Sequence, residues 1–183
     1  MMRRVVSLGA AVLALVSIAA PLQAQPIIGV SAGATIPSGE YADYAETGWV
    51  GTGSVLFPLG RPGLSLGARV MLGSNSHSDL DGDKTNLLGA FGTAVYRFRD
   101  RTTPSLFVFA NVGMLRHGYS SETLDIDESS SGLAYGGGVG FSIPRGRLGL
   151  HITAGYLTGS GDVEGTAMIP VQVGVTFPLG QGN

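Results

Sequence analysis

The chain has 183 residues, no cysteine, a formal net charge of -2 and 13% charged residues, against about a quarter in soluble domains. The length allows one domain, the lack of cysteine excludes disulfides, thiol nucleophiles and thiolate metal sites, and the charge argues against nucleic acid as the main partner. A mean hydropathy of +0.27 with 30 glycines is too apolar for a disordered chain and too glycine-rich for a helical bundle.

The first 24 residues are predicted to be a secretory signal peptide. Arg3 and Arg4 precede an apolar run over 5–20, and a cut after the small residue Ala24 avoids leaving Pro26 directly behind the cleaved bond. A retained transmembrane helix is the alternative, but the run is short and the flanks are those of an exported protein. No later segment has about 18 consecutive apolar residues, so residues 25–183 are predicted to form a single domain without transmembrane helices.

Alternating side chains predict eight strands in the exported chain. They span residues 28–36, 49–59, 64–72, 87–98, 106–115, 133–143, 148–156 and 167–179. In the first, the third and the last three, apolar residues on one face oppose small or polar residues on the other. The second, fourth and fifth carry bulky residues on both faces, so their orientation stays open. Each strand has roughly the length that a tilted strand needs to cross a bilayer.

The connections between these strands alternate in length and in charge. Long ones cover 37–48, 74–85, 116–131 and 158–165, and short ones cover 60–63, 99–103 and 144–146. Every acidic residue except Asp100 lies in a long connection. Arginines gather at the short ones, at positions Arg61, Arg97, Arg99, Arg101, Arg145 and Arg147. A barrel with its termini and tight turns on the periplasmic side sorts its loops in this way.

Backbone hydrogen bonding decides the fold class. In hydrocarbon, each unpaired N–H or C=O group costs several kcal/mol, so an antiparallel sheet is stable there only when its two edges meet. The sequence therefore predicts an all-β fold, an eight-stranded antiparallel up-and-down transmembrane β-barrel whose lumen is filled by side chains. A soluble lipocalin-like barrel would point the same apolar residues inward, but the small face is too slight to solvate a surface.

The last strand carries the most specific motif, Gln172-x-Gly174-x-x-Phe177-x-Leu179. With it, the chain over 27–179 resembles the small eight-stranded outer-membrane β-barrels of the OmpX, OmpA and opacity-like group. The resemblance implies a location in the outer membrane and recognition of this strand by the barrel assembly machinery. Pro178 inside the motif and the four residues after Leu179 depart from the family pattern.

Two ionisable residues, Arg69 and His151, have the parity that places them in the lumen. A charge enclosed there requires a partner, for which Asn111, Gln172 or acidic loop residues are candidates. We interpret the pair as a polar network that plugs the barrel, with a proton or solute path as the alternative. Aromatic residues near strand ends fit interfacial belts. They are Trp49, Tyr96, Tyr119, Tyr135 and Tyr156.

Candidate chemistry in the loops is sparse. His77 and His117 are solvated or interfacial histidines unless a nucleophile and an orienting group lie beside them, as a lipid-modifying hydrolase would require. Weak metal candidates are Asp79, Asp81 and Asp83, whose carboxylates could share a hard cation, and Asp125, Asp127 and Glu128 are weaker still. The spacing around Gly82 does not match an EF-hand loop. No cofactor is expected.

These features predict a non-enzymatic outer-membrane protein with a structural or surface-interaction role, which displays acidic loops above a closed lumen. Transport of small or hydrophobic solutes is the alternative, and a lipid-modifying enzyme is less favoured. The expected partners are outer-membrane lipids, lipopolysaccharide and, during biogenesis, the assembly machinery. No nucleic acid is expected, and the barrel is predicted to be a monomer.

Overall fold

The computed structural model describes residues 25–59, 63–77, 84–121 and 126–180. The predicted signal peptide lies outside the described residues. Eight strands follow one another along the chain, and they are β1 Ile27–Ser38, β2 Gly48–Pro58, β3 Leu64–Ser76, β4 Lys84–Arg97, β5 Ser105–Ser121, β6 Ile126–Arg145, β7 Leu148–Ser160 and β8 Ala167–Pro178. Two short 3-10 helices, η1 Gly39–Asp43 and η2 Gly161–Val163, lie in connections. Within the described ranges, no helix is long and apolar enough to cross a membrane.

The strands form one closed barrel in which each pairs antiparallel with its neighbours in sequence. Closure is made by β1 and β8, which pair from Ile27↔Pro178 to Ser38↔Ala167 without a break. The β7–β8 ladder is interrupted between Ala154↔Val171 and Leu157↔Met168, beside Pro170, which has no N–H to donate. The predicted fold class and all eight strands are confirmed.

The outer wall of the barrel is apolar, as the alternation predicted for five of the strands. Outward residues such as Val30, Val70, Val139 and Val173 are more than half exposed. The same test orients the three strands left open. Large exposed side chains lie at even positions of β4 and β5, so the even positions of these strands face outward. On β2 the large exposed side chain is Trp49, so the odd positions of that strand face outward.

The long connections are shorter than the alternation predicted. The prediction of a loop over 116–131 is wrong, because β5 and β6 remain paired as far as Ser121↔Ile126. The segment over 74–85 is likewise entered from both sides, by β3 to Ser76 and by β4 from Lys84. Apolar patterning ends where the bilayer ends, whereas the antiparallel ladder continues into water because it still satisfies the backbone.

Candidate functional site

The lumen is filled by large residues on one wall that pack against glycines on the other. Phe107 and Phe109 of β5 face β6 and β7. A Cβ atom added to Gly140 would lie 2.7 Å from Phe107 Cε1, and one added to Gly138 would lie 2.7 Å from Phe109 Cζ. These aromatic rings therefore occupy space that any larger residue on β6 would need. Phe107 and Phe109 cluster with Val95, and Leu56 packs against them; this group, toward the short connections, is called the lower apolar cluster.

A larger apolar cluster fills the barrel toward the long connections. It contains Tyr41, Ala45, Val50, Met71, Leu87, Phe91, Leu115, Ala134, Leu157 and Met168. Tyr41 belongs to η1 and is fully buried, so the β1–β2 connection folds over the barrel mouth. Burial raises the pKa of Tyr41 to about 12, since the neutral phenol suits an apolar site better than the phenolate.

Asn75 fastens this cap to the barrel wall. Its amide nitrogen donates to the Glu46 carbonyl at 2.7 Å and lies 3.4 Å from both the carbonyl oxygen and the hydroxyl of Thr35. Asn75 and Thr35 both have 0% of their surface exposed. Beside them the Glu46 N–H donates to the Ser76 carbonyl at 2.8 Å. The side chain of Asn75 thus connects β1, β3 and the β1–β2 connection.

The histidines at this end belong to an aromatic cluster. His77 lies 5.6 Å from Tyr44 and 5.3 Å from Tyr119 between ring centroids, and His117 lies 6.1 Å from Tyr41. Within the part of the chain that is described, the His77 ring is hydrogen-bonded to the hydroxyl of Thr85, at 2.7 Å, and not to a serine or a carboxylate.

His117 lies above the lipid-facing band, whose last apolar residue on β5 is Met114. Its Nδ1 atom is 3.1 Å from the Thr166 hydroxyl, which joins β5 to the β7–β8 connection. Burial, and to a smaller extent the nearby His77, lowers the pKa of His117. Burial therefore favours the neutral imidazole of His117 over the charged one.

Arg69 and His151 both lie inside the barrel. The Arg69 guanidinium stacks over the Phe109 ring at 4.9 Å, and His151 Nε2 is 3.2 Å from the Ser31 hydroxyl. Ser31 in turn accepts a hydrogen bond from Thr52 at 3.3 Å. In the described ranges, the contacts found for Arg69 and His151 are with Phe109 and Ser31 and not with Asn111 or Gln172. Among the described residues, Asn111 Oδ1 and Gln172 Nε2 are buried without a hydrogen bond.

A groove lies on the outside of the barrel, at the upper edge of the apolar wall. Leu72 pairs with Leu88, and Leu88 pairs with Arg116, so their outward side chains form a row across β3, β4 and β5. Together with Trp49 they line a cavity of about 570 Å³. The Arg116 guanidinium donates to the Ser129 hydroxyl at 3.0 Å, from β5 to β6.

The remaining predicted site residues are spread over the molecule. The weak metal candidates Asp79, Asp81 and Asp83 lie outside the described residues, and so does Asp125. The side chains of Asp127 and Glu128 are likewise not described. In the predicted assembly signal, Gln172 is buried on the lumen side of β8, and Leu179 follows the strand, with its N–H donating to the Pro26 carbonyl at 2.7 Å. The aromatic residues Trp49, Tyr96, Tyr135 and Tyr156 are exposed on the outer wall, whereas Tyr119 is half-buried.

Comparison with known proteins is informative at the level of structure. No protein-family model matches the sequence, and no curated protein matches it significantly. The fold is similar to the crystal structure of Neisserial surface protein A, with a TM-score of 0.64 at 13% identity over 83% of this chain and 95% of that one. A major outer membrane protein from Thermus thermophilus gives a TM-score of 0.57 at 15% identity, covering 86% of this chain and 100% of the other.

A third similar structure is Ail, the attachment invasion locus protein of Yersinia pestis, with a TM-score of 0.54 at 12% identity over 85% of this chain and 99% of that one. At such low identities the shared property is the fold. The closed barrel and its apolar outer wall thus share the fold of small eight-stranded outer-membrane β-barrels. The fold implied by the resemblance drawn from the last strand is thereby confirmed.

Proposed function

We propose that this protein is a non-enzymatic barrel of the outer membrane that acts at the cell surface and binds lipopolysaccharide through the outer groove. The observation that carries the proposal is the row Leu72, Leu88 and Arg116. It sets a cation beside an apolar surface near the end of the lipid-facing wall, where lipid tails would meet headgroups. Residues 1–24 would direct export and be removed.

The chemistry of the groove matches an anionic lipid. Trp49, Leu72 and Leu88 offer an apolar surface to an acyl chain. Arg116 is already bonded to Ser129 and retains further N–H donors for a phosphate, which a guanidinium binds in a bidentate manner. Lipopolysaccharide combines these two groups in the outer leaflet. Exposed carboxylates at the same end, including Glu40, Asp43 and Asp162, would contact it through divalent cations or face external partners.

The lipid proposal is tested by native mass spectrometry of the barrel purified in mild detergent from outer membranes. Wild-type protein is expected to retain lipopolysaccharide, and Arg116→Ala to retain several-fold less, because the phosphate loses a charged donor. Arg145→Ala is the matched control, since Arg145 is an exposed arginine at the opposite end of the barrel. Equal retention by wild type and Arg116→Ala would contradict the proposal.

A closed lumen is the second part of this proposed function. Support comes from the two apolar clusters, one at the capped end and one around Phe107 and Phe109, with Arg69 stacked between them on Phe109. Solute transport requires a continuous water path, so the two functions differ in conductance. The barrel is expected to show no ion current in planar bilayers, and steady single-channel openings by folded protein would support transport instead.

A further inference from the structure

The end of the barrel with the short turns opens into a cup of about 960 Å³. Its walls come from the β2–β3, β4–β5 and β6–β7 turns and from the end of β8. Leu56 and Val95 line it on the inner side, and both belong to the lower apolar cluster that fills the lumen. The cup is therefore blind, and a molecule inside it is bound rather than passed on.

The lining of the cup is strongly basic. Four arginines contribute to it, Arg97, Arg99, Arg101 and Arg147, and among the described lining residues the one carboxylate is that of Asp100. The contacts these arginines make are with neutral groups. Arg97 lies 5.3 Å over the Phe107 ring, Arg101 donates to the Ser65 hydroxyl at 3.2 Å and Arg147 donates to the Gly180 carbonyl at 2.8 Å.

Among the described lining residues, four guanidiniums thus face one carboxylate, and Arg97 is half-buried while the other three arginines are exposed at the rim. Burial, together with the neighbouring charge of Arg97, lowers the pKa of Arg101. Two guanidiniums that repel each other in a partly desolvated cup would both be stabilised by an anion between them. Guanidinium groups favour phosphate because their N–H donors match two of its oxygens at once.

We propose that this cup, the arginine cup, binds a phosphate group. Its phosphate would come either from a small soluble organic phosphate or from a phospholipid headgroup of the adjacent leaflet, and both present the same oxygens to the arginines. The apolar inner lining then receives the organic part of the ligand. The arginine cup lies at the opposite end from the groove at Arg116, so it is independent of lipopolysaccharide binding.

The test uses the folded barrel in dodecyl maltoside micelles, which contain no phosphate, and follows the arginine side-chain signals by nitrogen-15 NMR. Addition of sn-glycerol 3-phosphate is expected to shift these signals saturably, whereas glycerol is not. Arg101→Gln and Arg147→Gln should each weaken binding about tenfold or more, because each removes a charged donor. Arg145→Gln is the matched control, since Arg145 is exposed close to the cup but does not line it.

The two sources of phosphate give different results. A shift by sn-glycerol 3-phosphate supports a soluble ligand. The same shift seen only when phosphatidylglycerol is added to the micelles, with the same dependence on Arg101 and Arg147, supports a lipid headgroup. Absence of a shift under both conditions would overturn the proposal. An equal loss in Arg145→Gln would overturn it too, because it would mean that the general charge of this end attracts anions.

Discussion

Replacement of Gly140 by alanine tests whether the lumen is packed as a solid core. The added Cβ would overlap Phe107 Cζ and lie 2.7 Å from both Phe107 Cε1 and Phe107 Cε2. Carbon atoms in contact prefer about 3.5–4.0 Å, so the ring would have to retreat by more than about 1 Å toward its packed neighbours. Overpacking of this kind costs about 1–3 kcal/mol. Gly140→Ala should lower the free energy of unfolding by that amount.

The measurement is urea unfolding in lipid vesicles, followed by the fluorescence of Trp49, the single tryptophan, and by heat-modifiable migration on gels. Gly92→Ala is the control, because its added Cβ faces lipid and its nearest contact is Val112 O at 3.7 Å. Combining Gly140→Ala with Phe107→Leu should recover about 1–2 kcal/mol relative to the sum of the single effects. Additive losses, or a Gly140→Ala variant as stable as Gly92→Ala, would refute the packing.

Three further predictions concern the capped end and use the same unfolding assay. Because folding raises the pKa of Tyr41 from 10.0 to about 12, the wild type should lose about 2–3 kcal/mol as the pH rises from 10 to 12, and Tyr41→Phe should lose clearly less. Because folding lowers the pKa of His117, stability should fall as the pH drops below about 6.5, and His117→Gln should flatten that decline. Asn75→Ala should cost about 1–3 kcal/mol and speed proteolysis of the β1–β2 connection, since it removes the donor to the Glu46 carbonyl and leaves the fully buried Thr35 without the Asn75 amide; unchanged stability would contradict this role.

The sequence predicted the strands and the outer wall where size contrast along a strand was large. On β6 the outward Tyr135 and Val139 alternate with glycines, so the lipid-facing side is evident from periodicity. On β5 the inward Phe107 and Phe109 are as bulky as their outward neighbours. Their orientation depends on the glycines of β6 and β7, and that complementarity exists only once the strands are paired.

The sites were harder to predict because they depend on register or on irregular segments. The parity of Arg69 and His151 placed them inside, but their contacts with Phe109 and Ser31 come from across the barrel. The groove requires Leu72, Leu88 and Arg116 to be adjacent, which no single strand reveals. Tyr41 lies in a connection without periodicity. For the arginine cup, the sequence offered one signal, which was that arginines gather at the short connections and acidic residues in the long ones.

The ladder between β1 and β8 joins the first and the last strand of the barrel, residues 27–38 with 167–178. While β8 is still missing, β1 presents a free edge and the sheet has no interior to enclose its aromatic rings. The barrel therefore cannot close before β8 pairs with β1, even if the hairpins form earlier. In the interval the apolar outer face of the sheet is exposed to water, and exposed apolar surface of this kind favours aggregation over closure.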